Sequence, residues 1–274
     1  MSPDLLFLLS LLIKMAVTAA FVVGVTFLAE RTGAVIAAMV ATLPVAAGPA
    51  YIFLSLDHGA GFIADSALAS LVGNAANSVF ALTYTLLAQK RGLALSVIPA
   101  LLAWAAVASL SRVLPWTTLG AVAFNVVVLS GALAIGNRLR HARMPLVTAR
   151  WYDVPLRAGM VATTVATVVA LSTHVGPAIT GVLAVFPIVL LSLMLILHPR
   201  IGGPATGAVL SNTLLGLVGF SVTCLAARLL VVPLGTAAGL SVALAVSLVC
   251  NFGFWWLRRG KPLAAAKASS QPRA

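Results

Sequence analysis

Ala34-Val-Ile-Ala-Ala-Met-Val-Ala-Thr-Leu-Pro44 lies early in the chain, and Pro177-Ala-Ile-Thr-Gly-Val-Leu-Ala-Val-Phe-Pro187 matches it in the second half. In both, an apolar run begins just after a turn, reaches a proline at its eleventh position, and stays apolar for about two more helical turns. A proline inside a helix removes one backbone donor and clashes with the preceding turn, so each segment is expected to kink or break near its middle.

The surroundings of these two stretches set the class of protein. The 274 residues are 61% hydrophobic and 8% charged, with a mean hydropathy of +1.11. An ordinary soluble domain is roughly 25% charged. A soluble core of this length could not hide so much apolar surface, whereas lipid could. The formal charge of +12, from 17 Lys and Arg against 5 Asp and Glu, would point to nucleic acid in a polar chain. In an apolar one it reflects topology, because basic residues gather in cytoplasmic loops. The bilayer is therefore the expected partner and nucleic acid is not. Cys224 and Cys250 both lie inside apolar runs, so neither a disulfide framework nor a metal site is indicated. The first apolar run has no basic region before it and no cleavage site, and is expected to stay in the mature protein.

Nine apolar runs follow in order. They extend over about Leu5–Leu28, Ala34–Leu56, Phe62–Leu87, Leu93–Leu110, Trp116–Ile135, Leu156–Leu171, Pro177–Leu197, Thr206–Leu230 and Thr236–Leu257. Each is long enough for about 30 Å of hydrocarbon once tilt is allowed. If all nine cross, Arg31, Lys90, Arg91, Arg138, Arg140, Arg143, Arg150, Arg200 and the basic tail residues fall on one face. Only Arg112 and Arg228 fall on the other. That segregation puts the N-terminus outside and the C-terminus in the cytoplasm, and one span more or fewer would scramble it.

The duplication extends past the proline stretches. A shift of 143 carries Lys14 onto Arg157 and Pro44 onto Pro187, and a shift of 138 carries Asn74 onto Asn212 and Lys90 onto Arg228. Five spans precede the second copy, so it enters the membrane from the opposite face. The expected architecture is an all-α polytopic membrane protein with nine transmembrane helices, built as two inverted-topology four-helix repeats joined by a connector helix. Residues 1–113 form the first repeat, 114–154 the connector helix and basic linker, 155–259 the second repeat, and 260–274 a disordered tail.

The run Gly176-Pro-Ala-Ile-Thr-Gly-Val-Leu-Ala-Val-Phe-Pro187, the span after it, the link His198-Pro-Arg-Ile-Gly-Gly203 and the next span resemble the small four-span bacterial GlpM-like membrane proteins. The chain is similar to two such units fused, with one helix between them. The resemblance implies a multi-pass protein of the bacterial inner membrane and carries no catalytic residues to transfer.

Inverted repeats are the usual scaffold of secondary transporters, with sites near the midplane where broken helices meet. Candidate substrate- or ion-binding residues are Thr42, Pro44, Asn74, Asn77, Pro187 and Asn212. The two prolines would free backbone carbonyls and the amides would coordinate a polar solute or ion, but local repair of the kinks and interhelical glue of about 0.6–2 kcal/mol per amide account for them equally well. A cation at mid-membrane costs about 3 kcal/mol. Lys14 is thus either snorkelling to the surface or paired with Asp65, while Arg157 is expected to snorkel to the inner surface. The spans hold no metal-ligand spacing, phosphate loop or nucleophile elbow, so no cofactor and no enzymatic activity are expected. A transporter or channel for a small solute or ion is the first expectation, and a structural or accessory membrane protein the second.

Overall fold

The computed structural model describes residues 3–31, 44–139 and 150–259. Thr42, most of the first proline stretch, Arg140, Arg143 and the tail from 260 lie outside them. The described chain is all-helical, without strands: α1 (Pro3–Arg31), α2 (Ala47–Asp57), α3 (Ala60–Leu87), α4 (Leu93–Val113), α5 (Thr118–Gly136), α6 (Asp153–Ala184), α7 (Ile188–Leu234) and α8 (Thr236–Arg259). Five of these, α1, α5, α6, α7 and α8, are long and apolar enough to cross a membrane.

Local chemistry sets the ends. Thr117 caps α5 by accepting from the Gly120 amide at 3.0 Å. α4 stops where Leu114, held extended (φ −100°, ψ 132°) by the proline after it, cannot continue the helix. Two glycines subdivide the long helices. Gly176 (φ 72°, ψ 173°) divides α6, and Gly202 (φ 78°, ψ 167°) divides α7 into 188–201 and 203–234. That backbone region is open essentially to glycine alone. The link from His198 to Gly203, polar in sequence, is thus helical up to Ile201 and interrupted only at Gly202.

At the centre stands α3. Every residue from Leu71 to Ser78 is buried, so two full turns are covered on all sides. The cover comes from α4, α5, α6 and α7. α1 does the opposite: it packs on α6 but leaves Leu5, Leu6, Phe7 and Leu12 exposed, an apolar face suited to lipid. Ser70, Asn74, Asn77 and Ser78 of α3 are buried where protein, not hydrocarbon, surrounds them.

Small residues let backbones approach. A Cβ at Gly181 would collide with Ser66 O, and one at Gly203 with Ala88 O. A Cβ at Gly73 would lie 2.6 Å from Val185 Cγ2. These glycines seat α3 directly against the segments on either side of the Pro187 break. Gly181→Ala should therefore destabilise the fold by about 1–3 kcal/mol through overpacking. Gly216→Ala, where a Cβ meets nothing within 4 Å, should be neutral or slightly stabilising, both read by denaturant titration in lipid-detergent micelles.

Candidate functional site

The second proline stretch is broken as its sequence implies. α6 ends at Ala184, Val185 leaves helical geometry (φ −106°, ψ 17°), and α7 starts after Pro187 (φ −74°, ψ 41°). The last amides before the break close tight three-residue turns, Val185 to Val182 O at 3.3 Å and Phe186 to Leu183 O at 3.0 Å. After it, the Leu191 amide reaches Pro187 O at 2.8 Å. Pro44 O stands in the same relation to the Gly48 amide, at 2.6 Å, where α2 begins.

The carbonyls near the break do not hang free. Asn77 Nδ2 donates to Val185 O at 2.9 Å, and its Oδ1 accepts from Trp104 Nε1 at 2.9 Å. The Trp104 ring meets Phe186 edge-on at 5.1 Å. Ser70 Oγ donates to Gly181 O at 2.6 Å and lies 2.7 Å from Tyr51 Oη. Ser70 has one proton, already given to Gly181 O, so Tyr51 donates to Ser70. α2, α3 and the stretch before the break are joined by this relay.

A second polar cluster lies deeper in the α3–α7 contact. Asn74 Nδ2 donates to Leu217 O and to Ser221 Oγ, both at 2.8 Å. Asn125 Nδ2 donates to Leu71 O at 2.6 Å and its Oδ1 accepts from Ser221 at 2.7 Å. Asn74 Oδ1 is buried and has no hydrogen-bond partner. Asn212 is not part of this cluster: its amide bonds Ala208 O on its own helix at 2.9 Å. The candidate amides thus separate, with Asn77 at the break, Asn74 in the helix contact and Asn212 spent locally.

The expected Lys14–Asp65 pair is corrected. Lys14 Nζ binds Asp57 Oδ2 at 2.6 Å, and Asp65 Oδ1 receives Arg228 Nη1 at 2.6 Å. The cause is helix direction: α3 and 203–234 run antiparallel, which brings the last turns of α7 opposite the second turn of α3 and gives Asp65 a nearer cation. A further pair joins Arg200 to Asp153 in a two-pronged contact, its second prong 2.7 Å. Arg150 donates to Tyr152 Oη at 2.7 Å. With Arg200 also alongside, that phenol is held below its ordinary pKa range. Arg157 sits half-buried one turn into α6.

Sequence reading did not single out Tyr51, Ser70, Trp104 and Ser221, nor two histidines. His58 Nε2 bonds Ser172 Oγ at 2.8 Å and stacks on Phe62, and His198 Nδ1 bonds Tyr84 Oη at 2.6 Å. Both histidines lie in or beside sequence-defined loops. Only their partners, 114 residues away in each case, give them a role.

Beside Pro44 there is a cavity of about 330 Å³ between α2, α3, α7 and α8. Pro44 borders it, while Pro187, Asn74 and Asn212 do not. Among the described residues no group of His, Cys, Asp and Glu could hold a metal ion.

The helices and their apolar faces are those of a multi-pass membrane protein. Comparison with known protein families, characterised proteins and solved structures finds no match. Asn77→Ala would strand both Val185 O and Trp104 Nε1 and should cost about 1–3 kcal/mol. Asn212→Ala should cost well under 1 kcal/mol, its amide serving only its own helix, and denaturant titration of the two variants compares them.

Proposed function

We propose that the chain is a secondary transporter or channel for a small solute or ion, built as two inverted repeats of four helices with nine crossings. Its N-terminus lies outside and its C-terminus in the cytoplasm of a bacterial inner membrane. The observation that carries this is the break at Val185–Pro187, an interruption of helical backbone wrapped in protein. Irregular backbone at membrane depth is tolerated where it is buried in protein or lines a cavity, and transporters use it to build sites.

The helix pairings support the repeat. Exchanging the halves maps α1 onto the start of α6, α3 onto 203–234 and α4 onto α8. Under that exchange the α1–α6 and α3–α7 contacts map onto themselves, and α3–α4 maps onto α7–α8. The ion pairs follow the same rule with reversed polarity. Asp57 and Arg200 are 143 apart, as are Pro44 and Pro187, and each ties the end of its helix to the first helix of its own half. The resemblance to fused GlpM-like units is compatible with this arrangement.

One observation favours an accessory role instead. The carbonyls at the break are already capped by Asn77 and Ser70, and close glycine packing accounts for much of the α3 interface. Reconstitution in vesicles separates the two. Transport predicts protein-dependent flux of at least one of sodium, protons or small neutral solutes, sharply reduced in Pro187→Ala. It also predicts that reporters fused in 140–149 and at the C-terminus both read cytoplasmic. Absence of flux across that panel favours the accessory role, and reporters on opposite sides remove the inverted repeat.

A further inference from the structure

We propose that the cavity beside Pro44 is a binding site for an uncharged, mostly apolar molecule that carries an O–H or N–H donor. It is entered from the bilayer, and binding there does not depend on transport. Its volume of about 330 Å³ falls at the lower end of small-molecule pockets, roughly 300–1,000 Å³. Its apolar walls include Ala47, Ile52, Phe220, Ala227 and Leu240. None of the described residues around it is Asp, Glu, Lys, Arg or His, so a charged ligand would be desolvated without a counter-charge, at a cost of several kcal/mol.

The few polar groups share one property. Ser55 Oγ donates to Ile52 O at 2.6 Å, Thr223 Oγ1 to Gly219 O at 2.9 Å, and Ser241 Oγ to Ala237 O at 2.8 Å. Tyr51 donates to Ser70, as its partner's proton is already given away. The Gly48 amide is spent on Pro44 O and the Ala50 amide on Ala46 O, while Pro49 has none. The hydroxyl protons are all committed, and what these hydroxyls can offer a ligand is lone pairs. A donor on the ligand is matched by them.

The mouth adds a second constraint. Ile52 is 57% exposed and Leu244 43% exposed, and both border the cavity. Large apolar side chains at the opening face hydrocarbon in a spanning protein, and a molecule arriving through hydrocarbon is uncharged.

The test uses the full chain in lipid nanodiscs, with radiolabelled 1-naphthalenemethanol as probe and empty nanodiscs as blank. Saturable binding near one site per chain is expected, with 1-naphthoate and 1-naphthylmethylammonium failing to compete. Ala237→Phe, which fills the cavity from an exposed position, should abolish binding, and Ser241→Leu serves the same purpose if that variant misfolds. Thr223→Val keeps the volume, removes an acceptor and should weaken binding about fivefold. The assignment is overturned if no saturable binding occurs, if either charged analogue competes as well as the alcohol, or if the filled variants bind like the parent. Unchanged affinity in Thr223→Val overturns the lone-pair account. Binding is read without any gradient, so a failed vesicle assay leaves this result unaffected.

Discussion

A helix buried on every side inside a membrane protein cannot leave a polar group to water, so most of those it carries find a partner in a neighbouring helix. The middle of α3 is in that position, with all residues from Leu71 to Ser78 enclosed. Its polar groups reach outward accordingly: Ser70 to Gly181, Leu71 O to Asn125, Asn74 to Leu217 and Ser221, Asn77 to Val185 and Trp104. These bonds fix the height and rotation of α5, α6 and α7 around it. Between 203–234 and α3 the contacts pair 65 with 228, 74 with 217 and 85 with 207, the signature of antiparallel helices. Each such bond contributes about 0.6–2 kcal/mol, but together they permit one register.

The same constraint explains the shape of the break. A proline-interrupted backbone exposes carbonyls, and here a neighbour supplies donors for two of them. The interruption is thus compatible with burial, and the open space lies one helix away, in the cavity beside Pro44. The two proline stretches differ in their surroundings: Pro187 lies beside carbonyls that α3 covers, and Pro44 borders open space.

Much of this was legible in the sequence. Composition identified an apolar helical chain and the proline at position 187 marked a real break, while the enclosure of α3 on all sides was not legible. The partners were not legible. Lys14 and Asp65 look matched because both lie near the ends of spans, but α7 runs antiparallel to α3 and delivers Arg228 to Asp65, leaving Lys14 for Asp57. Trp104 reads as one more aromatic in an apolar span until Asn77 is placed beneath it. His58 and His198 read as loop residues because their hydroxyl partners lie far along the chain. Ion pairs and hydrogen bonds of this kind depend on helix packing, which no local pattern encodes.

Cross-linking of paired cysteines tests the antiparallel α3–α7 core most directly, in a background of Cys224→Ala and Cys250→Ala. Thr85→Cys with Gly207→Cys, and Asp65→Cys with Arg228→Cys, should each be joined by a short bismaleimide in native membranes. Twenty residues of helix separate 65 from 85, about 30 Å, so the exchanged pairs 65 with 207 and 85 with 228 should stay apart. Efficient joining of the exchanged pairs, with none in the first two, would contradict the packing on which the architecture rests.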